Sequence, residues 1–328
     1  MYILGIDTSC DDTSCAVLED TILKSNVIID QNEVHARFGG IVPEMAARMH
    51  TEAISLCVEK AMAEAGVSQM DMVGVTVGPG LMPSLLVGVC FAKAFCYERG
   101  IPIVSVNHIE GHINAIFLEH NVEYPFLALV ISGGHTHLYL VSGEKNYKLL
   151  GKTLDDAAGE AFDKVSRLLG FSFPGGPVID SLSKTGSATF FNIPRALEKK
   201  ETLNFSFSGV KTAVKKCVEN LGKLSKTDVA NIAASFQESV VDVIVKRLFK
   251  AVSLTGARRM VIGGGVACNS RLREVLCDMC DRKNIEIYFP SPNLCMDNGA
   301  MVAMVAYKNK DRATFDYNSI DAEPHLNL

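Results

Sequence analysis

Short apolar runs along the chain alternate with longer segments whose apolar residues recur every three to four positions. The short runs predict buried strands at residues 2–6, 15–18, 73–77, 101–106, 126–131, 137–141, 260–262 and 285–289. The helical periodicity predicts amphipathic helices over about residues 44–65, 156–169 and 228–255. Strands that alternate with helices in this way are typical of an α/β protein.

The same order of elements occurs twice. In each half, a hairpin has a small polar tip, a strand ends in a glycine turn, and a further strand leads into a helix that starts with polar residues. The tips are residues 7–14 and 132–136, the glycine turns are residues 78–80 and 263–265, and the polar helix starts are residues 107–112 and 297–299. This duplication predicts two similar lobes about a pseudo-two-fold axis, with the polar tips facing one cleft.

The repeat also suggests a division of the chain. We expect an N-terminal lobe at residues 1–123 and a C-terminal lobe at residues 124–328. The second lobe would carry a helical insertion that the first lacks. Its last helix, at about residues 297–309, would return to the cleft between the lobes.

Two histidines, His108 and His112, are spaced as metal ligands on a helix. Side chains at positions i and i+4 lie one turn apart on one face, and Asn107 is a suitable N-cap for such a helix. Two imidazoles leave a divalent ion short of ligands, so a carboxylate must come from elsewhere. The duplicated plan makes Asp297 the natural partner. Alternatively, the histidines are surface residues without a ligand, and Asp297 caps its own helix.

Glu110 separates this stretch from the metalloprotease signature H-E-x-x-H. In that signature the glutamate lies beside the zinc-bound water. Here the glutamate follows His108 by two positions, so it would point to a different side of the helix. A metallopeptidase is therefore a weaker interpretation than another metal-dependent activity.

Composition narrows the function classes. The net charge of −5 gives no overall cationic field for nucleic acid, and the lysine runs at residues 199–200, 211–216 and 308–312 are typical of solvated faces. The ten cysteines do not form a disulfide framework, which indicates a reducing, cytoplasmic location. No signal peptide is expected, because Asp7 interrupts the first apolar run. Glycine and proline divide residues 72–92 into a strand, a turn and a helix, so no membrane span is expected either.

Several stretches of the sequence together resemble one family, the TsaD tRNA N6-adenosine threonylcarbamoyltransferases, formerly called glycoproteases. The matching segments are GIDTSCDD at residues 5–12, HIEGH at 108–112, SGGHT at 132–136, DDAAGEAFDK at 155–164, PGGP at 174–177, FSFSG at 205–209, GGGVACN at 263–269 and DNG at 297–299. The resemblance covers essentially the whole chain. It implies two ribonuclease-H-like lobes of the actin/Hsp70/sugar-kinase (ASKHA) type with a nucleotide cleft between them.

The resemblance also implies a reaction and its participants. The threonylcarbamoyl group of threonylcarbamoyl-AMP would be transferred to N6 of the adenosine 3′ to the anticodon, in tRNAs that read codons starting with A. The cofactors would be one divalent ion, iron(II) or zinc, and a bound nucleotide, ATP or threonylcarbamoyl-AMP. The partners would be tRNA, a non-catalytic subunit of the same fold (TsaB type) and a P-loop ATPase (TsaE type).

The site residues of the family can be matched to this sequence position by position. The resemblance implies that His108, His112 and Asp297 bind the metal. It implies that the substrate nucleotide is bound by Ile131, Ser132, Gly133, Gly134, His135, Asp163, Gly176, Asp180 and Asn269. No catalytic base is assigned, and the candidates are Asp7 and Asp12, where the family usually has glutamate.

Three other classes of protein fit parts of the sequence. An actin-like ATPase or kinase fits the two-lobe plan, because fold does not fix function, but it has no need of the paired histidines. A metallopeptidase fits the paired histidines but not the position of Glu110. A non-catalytic scaffold would not need the complete set of ligand positions.

Overall fold

The computed structural model describes residues 1–196 and 201–328. Lys199 and Lys200 lie outside the described residues. The first 121 residues contain one five-stranded sheet, with helices between and after its later strands. Their strands are β1 (Tyr2–Asp7), β2 (Thr13–Glu19), β3 (Ile22–Ile29), β4 (Met72–Gly78) and β5 (Ile103–Asn107). Their helices are α1 (Asn32–Ala36), α2 (Pro43–Ala65), α3 (Met82–Arg99) and α4 (His108–Asn114).

The rest of the chain has a second sheet and more helices. The strands are β6 (Phe126–Ile131), β7 (Thr136–Gly143), β8 (Asn146–Lys152), β9 (Arg259–Gly263) and β10 (Glu286–Tyr288). The helices are α5 (Ala158–Leu168), α6 (Gly175–Ser183), α7 (Ser208–Leu221), α8 (Lys226–Thr255), α9 (Ser270–Lys283), α10 (Pro292–Cys295) and α11 (Gly299–Lys308).

The two sheets share one strand plan. The first has the order β3-β2-β1-β4-β5 and the second, read from its other edge, has the order β8-β7-β6-β9-β10. In both sheets the first three strands of this order pair antiparallel. The fourth strand pairs parallel with the central third strand, and the fifth pairs parallel with the fourth. The duplication predicted from the sequence is therefore present in the backbone.

The chain forms two compact units, and their bounds differ from the predicted division at the C-terminus. One unit comprises Met1–Asn121 together with Pro290–Leu328, and the other comprises Val122–Phe289. Residues 290–328, assigned from sequence to the second lobe, thus group with the first. The reason is hydrophobic burial, because Met301, Val302 and Met304 of α11 pack in the core of the first unit.

Each face of the first sheet has its own core. Leu4 and Ile6 of β1 point to α2 and α3, where they meet Ile54 and Leu85. Because side chains alternate along a strand, Ile3 points to the other face, against α11. The central strands are buried on both faces, which explains their continuous apolar sequence.

Glycines let α11 lie directly on the sheet. A Cβ at Gly5 would overlap the carbonyl oxygen of Gly299, and a Cβ at Gly299 would overlap the backbone of β2 at Cys15 and Ala16. A third close approach joins Gly74 of β4 to Ala306 of α11. The contacts of Gly5 and Gly299 fix the N-terminal end of α11, which begins two residues after Asp297.

The second unit contains the long helix α8. It begins with a capping box in which Ser225 and Asp228 each bond the other's backbone N–H. Most of its middle turns are buried, including Phe236, Gln237 and Val240. Among the described residues, no helix combines the length and the apolar character needed to cross a bilayer.

Candidate metal centre and nucleotide-binding loops

The paired histidines lie on the first turns of α4, directly after β5. Asn107 is the N-cap, and its side-chain oxygen accepts hydrogen bonds from the N–H of Ile109 at 2.9 Å and of Glu110 at 3.3 Å. The helix is buried along its length. The imidazole rings of His108 and His112 meet edge to face with their centroids 4.7 Å apart. The predicted cap and the predicted one-turn spacing are both present.

Asp297 reaches both histidines from the segment that precedes α11. Its Oδ1 lies 3.1 Å from Nε2 of His112 and 3.5 Å from Nε2 of His108. The three possible ligand atoms all lie within 4.8 Å of one another. The alternative role as a helix cap belongs instead to Asn298, whose side chain accepts from the N–H of Met301 at 2.9 Å. The structure therefore brings together the three side chains expected to bind a metal.

The protonation of His108 depends on two carboxylates. Burial lowers the pKa of His108, but the charges of Asp297 and Asp7 and the hydrogen bond that His108 donates to Asp7 outweigh burial and raise the pKa to about 9. The site thus attracts positive charge strongly enough to hold a proton on a buried imidazole. A divalent cation satisfies the same electrostatic demand.

His112 provides a further test of whether a cation fits. Its side chain is fully buried. In the described part of the chain neither ring nitrogen makes a hydrogen bond of good geometry, although Nε2 lies 3.1 Å from Oδ1 of Asp297. A buried polar atom without a hydrogen bond costs about 1–3 kcal/mol. A metal ligated through Nε2 would remove that cost at one of the two nitrogens. The donor set of two imidazoles and one carboxylate suits iron(II) or zinc.

Glu110 takes no part in this cluster. Its side chain is buried, and Oε1 accepts a hydrogen bond from Asn309 at 3.2 Å. Asn309 lies at the C-terminal end of α11, whereas Asp297 precedes its N-terminal end. The position of Glu110 therefore agrees with the sequence argument against the H-E-x-x-H arrangement.

The polar tip between β1 and β2 is strongly acidic. Burial, with the charges of Asp11 and Asp297, raises the pKa of Asp12 to about 8. Burial and Asp11 likewise raise the pKa of the Cys10 thiol well above its usual range. Asp7 differs from Asp12, because it is completely buried and its oxygens lie close to Ser9 and His108. The two candidate bases therefore have different surroundings.

In the second unit, the tip after β6 is a tight turn. The N–H of Ser132 donates to the carbonyl of His135 at 2.8 Å, and the N–H of His135 donates back to Oγ of Ser132 at 3.2 Å. A Cβ at Gly133 or Gly134 would meet no atom within 4 Å, so the space above this turn is open. The turn from Ile131 to His135 can therefore accept a ligand close to its backbone.

A second glycine turn lies against the end of β6. Gly264 has a φ of +89°, and a Cβ there would overlap the carbonyl oxygen of Ile131. Only glycine meets both conditions without strain. The contact brings the turn that leads to Asn269 beside the turn that contains Ser132. Two segments predicted to bind nucleotide are thus adjacent.

The remaining predicted nucleotide residues lie within helices or at their N-terminal ends. Asp163 on α5 accepts from the N–H of Gly175 at 2.7 Å, and burial raises its pKa. Gly176 follows at the N-terminus of α6, with no atom within 4 Å of a Cβ. Asp180 accepts from the N–H and the hydroxyl of Ser270, at 3.2 and 2.8 Å. Asn269 caps α9 through the N–H of Leu272 at 3.0 Å.

Comparison with known proteins shows the family of this chain. The model of the TsaD family, described as tRNA N6-adenosine threonylcarbamoyltransferase, matches residues 22–304. The chain belongs to the TsaD family. A curated relative with that name from Thermodesulfovibrio yellowstonii is 52% identical over 335 residues, which cover 100% of both chains. Another from Geotalea uraniireducens is 48% identical over 331 residues, which cover 99% of this chain and 96% of the relative.

Solved structures confirm the fold class expected of a TsaD protein. A full-length HypF in a phosphate- and nucleotide-bound form matches with a TM-score of 0.61 and 16% identity, over 94% of this chain and 55% of that one. The activator of 2-hydroxyisocaproyl-CoA dehydratase from Clostridium difficile matches with a TM-score of 0.55 and 17% identity, over 94% and 95%. The predicted α/β fold of ASKHA type and the acyltransferase class are confirmed.

One residue that links the loops predicted to bind nucleotide was missed in the sequence. Gln237, in the middle of α8, accepts from Nδ2 of Asn269 at 2.7 Å and donates to Oγ of Ser183 at 2.8 Å. The hydroxyl of Ser183 in turn donates to the carbonyl of Asp180 at 2.9 Å. Gln237 thus links Asn269 to Asp180 through side chains. In the sequence, Gln237 differs from a core residue only in being polar: it lies in the buried middle of α8, beside Phe236 and Val240.

Proposed function

We propose that this chain transfers the threonylcarbamoyl group of threonylcarbamoyl-AMP to N6 of the adenosine 3′ to the anticodon. The tRNAs would be those that read codons starting with A, and the reaction would use an ion held by His108, His112 and Asp297. The observation that carries the proposal is the convergence of these three side chains within 4.8 Å, in a chain that belongs to the TsaD family. The family points to iron(II), and zinc suits the same donors.

The bound nucleotide is assigned to the second unit. The HypF structure that shares this fold holds a nucleotide, and the dehydratase activator holds ADPNP. In this chain the open turn from Ile131 to His135 and the glycine turn that leads to Asn269 lie side by side, because Gly264 contacts Ile131. Backbone N–H groups in such turns suit phosphate oxygens. We propose that these loops, with Asp163, Gly176 and Asp180, hold the AMP part of the donor.

The transfer forms one bond and breaks one bond. N6 of adenosine attacks the carbonyl carbon of the threonylcarbamoyl group, the bond from that carbon to the phosphate oxygen breaks, and AMP leaves. One proton must leave the nitrogen. When bound, the cation supplies Lewis acidity toward substrate oxygens. The protein's own contribution is to hold the amine at attack distance and to accept the proton.

Asp12 is the candidate that fits the role of base. It is only partly exposed, and burial together with the charge of Asp11 raises its pKa toward neutral pH. A base with a pKa near the working pH combines a reactive form with a useful driving force. Asp12 also lies close enough to Asp297 for the two charges to interact.

Substitution Asp12→Asn tests this role. We expect kcat to fall by about 100-fold, with zinc affinity kept within a few-fold of the wild type, because general base catalysis contributes about that factor or more. Single-turnover transfer and zinc binding are measured side by side. Asp20→Asn is the control, since Asp20 is exposed at the β2–β3 turn. An unchanged kcat would remove Asp12 from the chemistry, and a lost metal would make its role structural.

Substitution Gln237→Leu tests the loop assignment. Leucine keeps similar bulk but removes both hydrogen bonds, which leaves the amide of Asn269 and the hydroxyl of Ser183 without that partner. We expect affinity for ATP to fall by about 10-fold, which corresponds to about 1.4 kcal/mol, while zinc binding is unchanged. Isothermal titration measures both ligands. Equal ATP affinity in the two proteins would show that Gln237 does not order the nucleotide loops.

Contact with tRNA is expected to need partner proteins. The chain carries a net charge of −5, whereas unaided binding to RNA rests on cationic side chains that release counterions. We propose that a subunit of the same fold (TsaB type) and a P-loop ATPase (TsaE type) act with this chain in the cytoplasm. They would supply part of the RNA surface.

Mass analysis of tRNA nucleosides tests the proposed reaction. Unmodified tRNA is incubated with threonylcarbamoyl-AMP, with and without the two partner proteins. We expect threonylcarbamoyladenosine to form when all components are present and to disappear when a chelator removes the metal. Absence of the product from the complete mixture would contradict the proposal, and transfer of phosphate from ATP to a small acceptor would favour a kinase.

A further inference from the structure

Behind His108, on the side of the ring that faces away from Asp297, lies the carboxylate of Asp7. Nδ1 of His108 is 3.2 Å from Oδ2 of Asp7 and 3.0 Å from Oγ of Ser9. Nε2, the other ring nitrogen, is the one that approaches Asp297. We propose that Asp7 is a positioning residue that holds His108 in the tautomer and orientation needed for Nε2 to bind metal. This inference rests on the metal site proposed above.

The surroundings of Asp7 exclude a direct role in the reaction. Its side chain is only 1% exposed, so it cannot touch the substrate. Oδ1 accepts the N–H of Ser9 at 3.0 Å, and Oδ2 faces His108, so both oxygens are engaged. Asp7 also ends β1, where it pairs with Ser14 of β2. The carboxylate therefore sits on a rigid strand and points at one nitrogen of one metal ligand.

The hydrogen bond decides which nitrogen carries the proton. A carboxylate accepts hydrogen bonds and does not donate them, so the hydrogen between Asp7 and His108 belongs to Nδ1. A neutral imidazole with hydrogen on Nδ1 has its lone pair on Nε2, which is the atom nearest Asp297. Pairs of this kind, carboxylate to histidine to metal, orient the ligand and raise its basicity.

The second histidine lacks such support. Nδ1 of His112 makes no hydrogen bond among the residues that the structure describes, and the ring packs edge to face on His108. The orientation of His108 therefore influences that of His112. One carboxylate on β1 orients the first ring directly and the second through packing.

Substitution Asp7→Asn reverses the hydrogen-bond pattern with almost no change in shape. The N–H of Ser9 fixes the amide oxygen where Oδ1 lies now, which turns the NH₂ group toward Nδ1 of His108. An NH₂ group donates, so it favours hydrogen on Nε2 and blocks the lone pair that the metal needs. We expect zinc affinity to fall by about 10–100-fold, the range for lost outer-shell partners.

Thr8→Val is the matched control for this substitution. Thr8 is the neighbouring buried polar residue on the same tip, and its hydroxyl donates to the carbonyl of Ser84 at 2.8 Å, away from His108. Zinc affinity is measured for the full-length proteins by competition with a chromophoric chelator, and circular dichroism checks the fold. We expect the Thr8→Val protein to bind zinc as the wild type does.

Three results decide the matter. Weaker zinc binding in Asp7→Asn alone supports the inference. Equal affinity in Asp7→Asn and wild type overturns it while leaving the metal site intact, whereas wild-type protein that binds no zinc removes both the site and the inference. If Asp7→Asn does not fold, nitrogen-15 spectra of zinc-loaded wild type decide, since His108 must then carry its proton on Nδ1, and a bare Nδ1 overturns the inference.

Discussion

Alanine in place of His108 or His112 is expected to lower transfer to tRNA by about 1000-fold and to abolish stoichiometric metal binding. The loss of one ligand from a set of three removes the ion, and Lewis-acid stabilisation is worth several kcal/mol, of which each 1.36 kcal/mol is tenfold in rate. The effect is large because the described residues of the cluster offer only these two imidazoles and Asp297.

Two further variants, the double variant and His120→Ala, serve as controls for this prediction. The double variant should be about as slow as either single variant, because residues that act as one unit are not additive. His120→Ala should transfer at the wild-type rate, since His120 is exposed and lies beyond the end of α4. Transfer is measured as modified adenosine per tRNA in single turnovers, with metal content determined on the same samples. Wild-type rates in a metal-free His112→Ala protein would refute the metal-dependent mechanism.

Valine in place of Gly5 is expected to prevent the first unit from folding. A Cβ at this position would overlap the carbonyl oxygen of Gly299 and the backbone nitrogen of Ala303, both on α11. Backbone atoms of a packed helix cannot move aside as a flexible side chain can. We expect the loss in free energy of unfolding to exceed about 4 kcal/mol, a large part of the 5–15 kcal/mol that stabilises a typical domain.

Urea unfolding followed by circular dichroism measures this effect, because the chain has no tryptophan for fluorescence. Gly209→Ala is the control. Gly209 lies in α7, where a Cβ would meet no atom within 4 Å, so alanine there should leave the midpoint unchanged or raise it slightly. A Gly5→Val protein with a wild-type midpoint would show that α11 does not pack on β1 as described.

The close packing of α11 also explains how Asp297 reaches the histidines. Asn298 caps the helix, and Gly299 lets its first turn touch β2. Asp297 is the residue just before this fixed end. The geometry predicted to bind a metal thus depends on Gly5 and Gly299, neither of which has a side chain that could be a ligand.

Parts of the chain with strong local signals were predictable from the sequence. Strands β1, β4 and β6 are buried on both faces and therefore read as continuous apolar runs. The spacing of His108 and His112 determines their shared helix face, and Asn107 is a strong capping residue. The duplicated order of elements then predicted Asp297 as the third ligand, although it lies 189 positions after His108 in the sequence.

Other features depend on contacts between distant segments and were missed. The edge strands β3 and β8 are largely exposed and mix polar with apolar residues, so they have no clear strand pattern. Helix α7 was not predicted either. The return of residues 290–328 to the first unit follows from packing on a sheet and not from local sequence. The contact of Asp7 with His108 joins residues 101 positions apart.

X-ray anomalous scattering from crystals grown with iron(II) or zinc tests the central claim most directly. The account predicts one strong peak at bonding distance from Nε2 of His108, Nε2 of His112 and a carboxylate oxygen of Asp297. A map with full metal occupancy elsewhere, or with no peak among these three side chains, would contradict it.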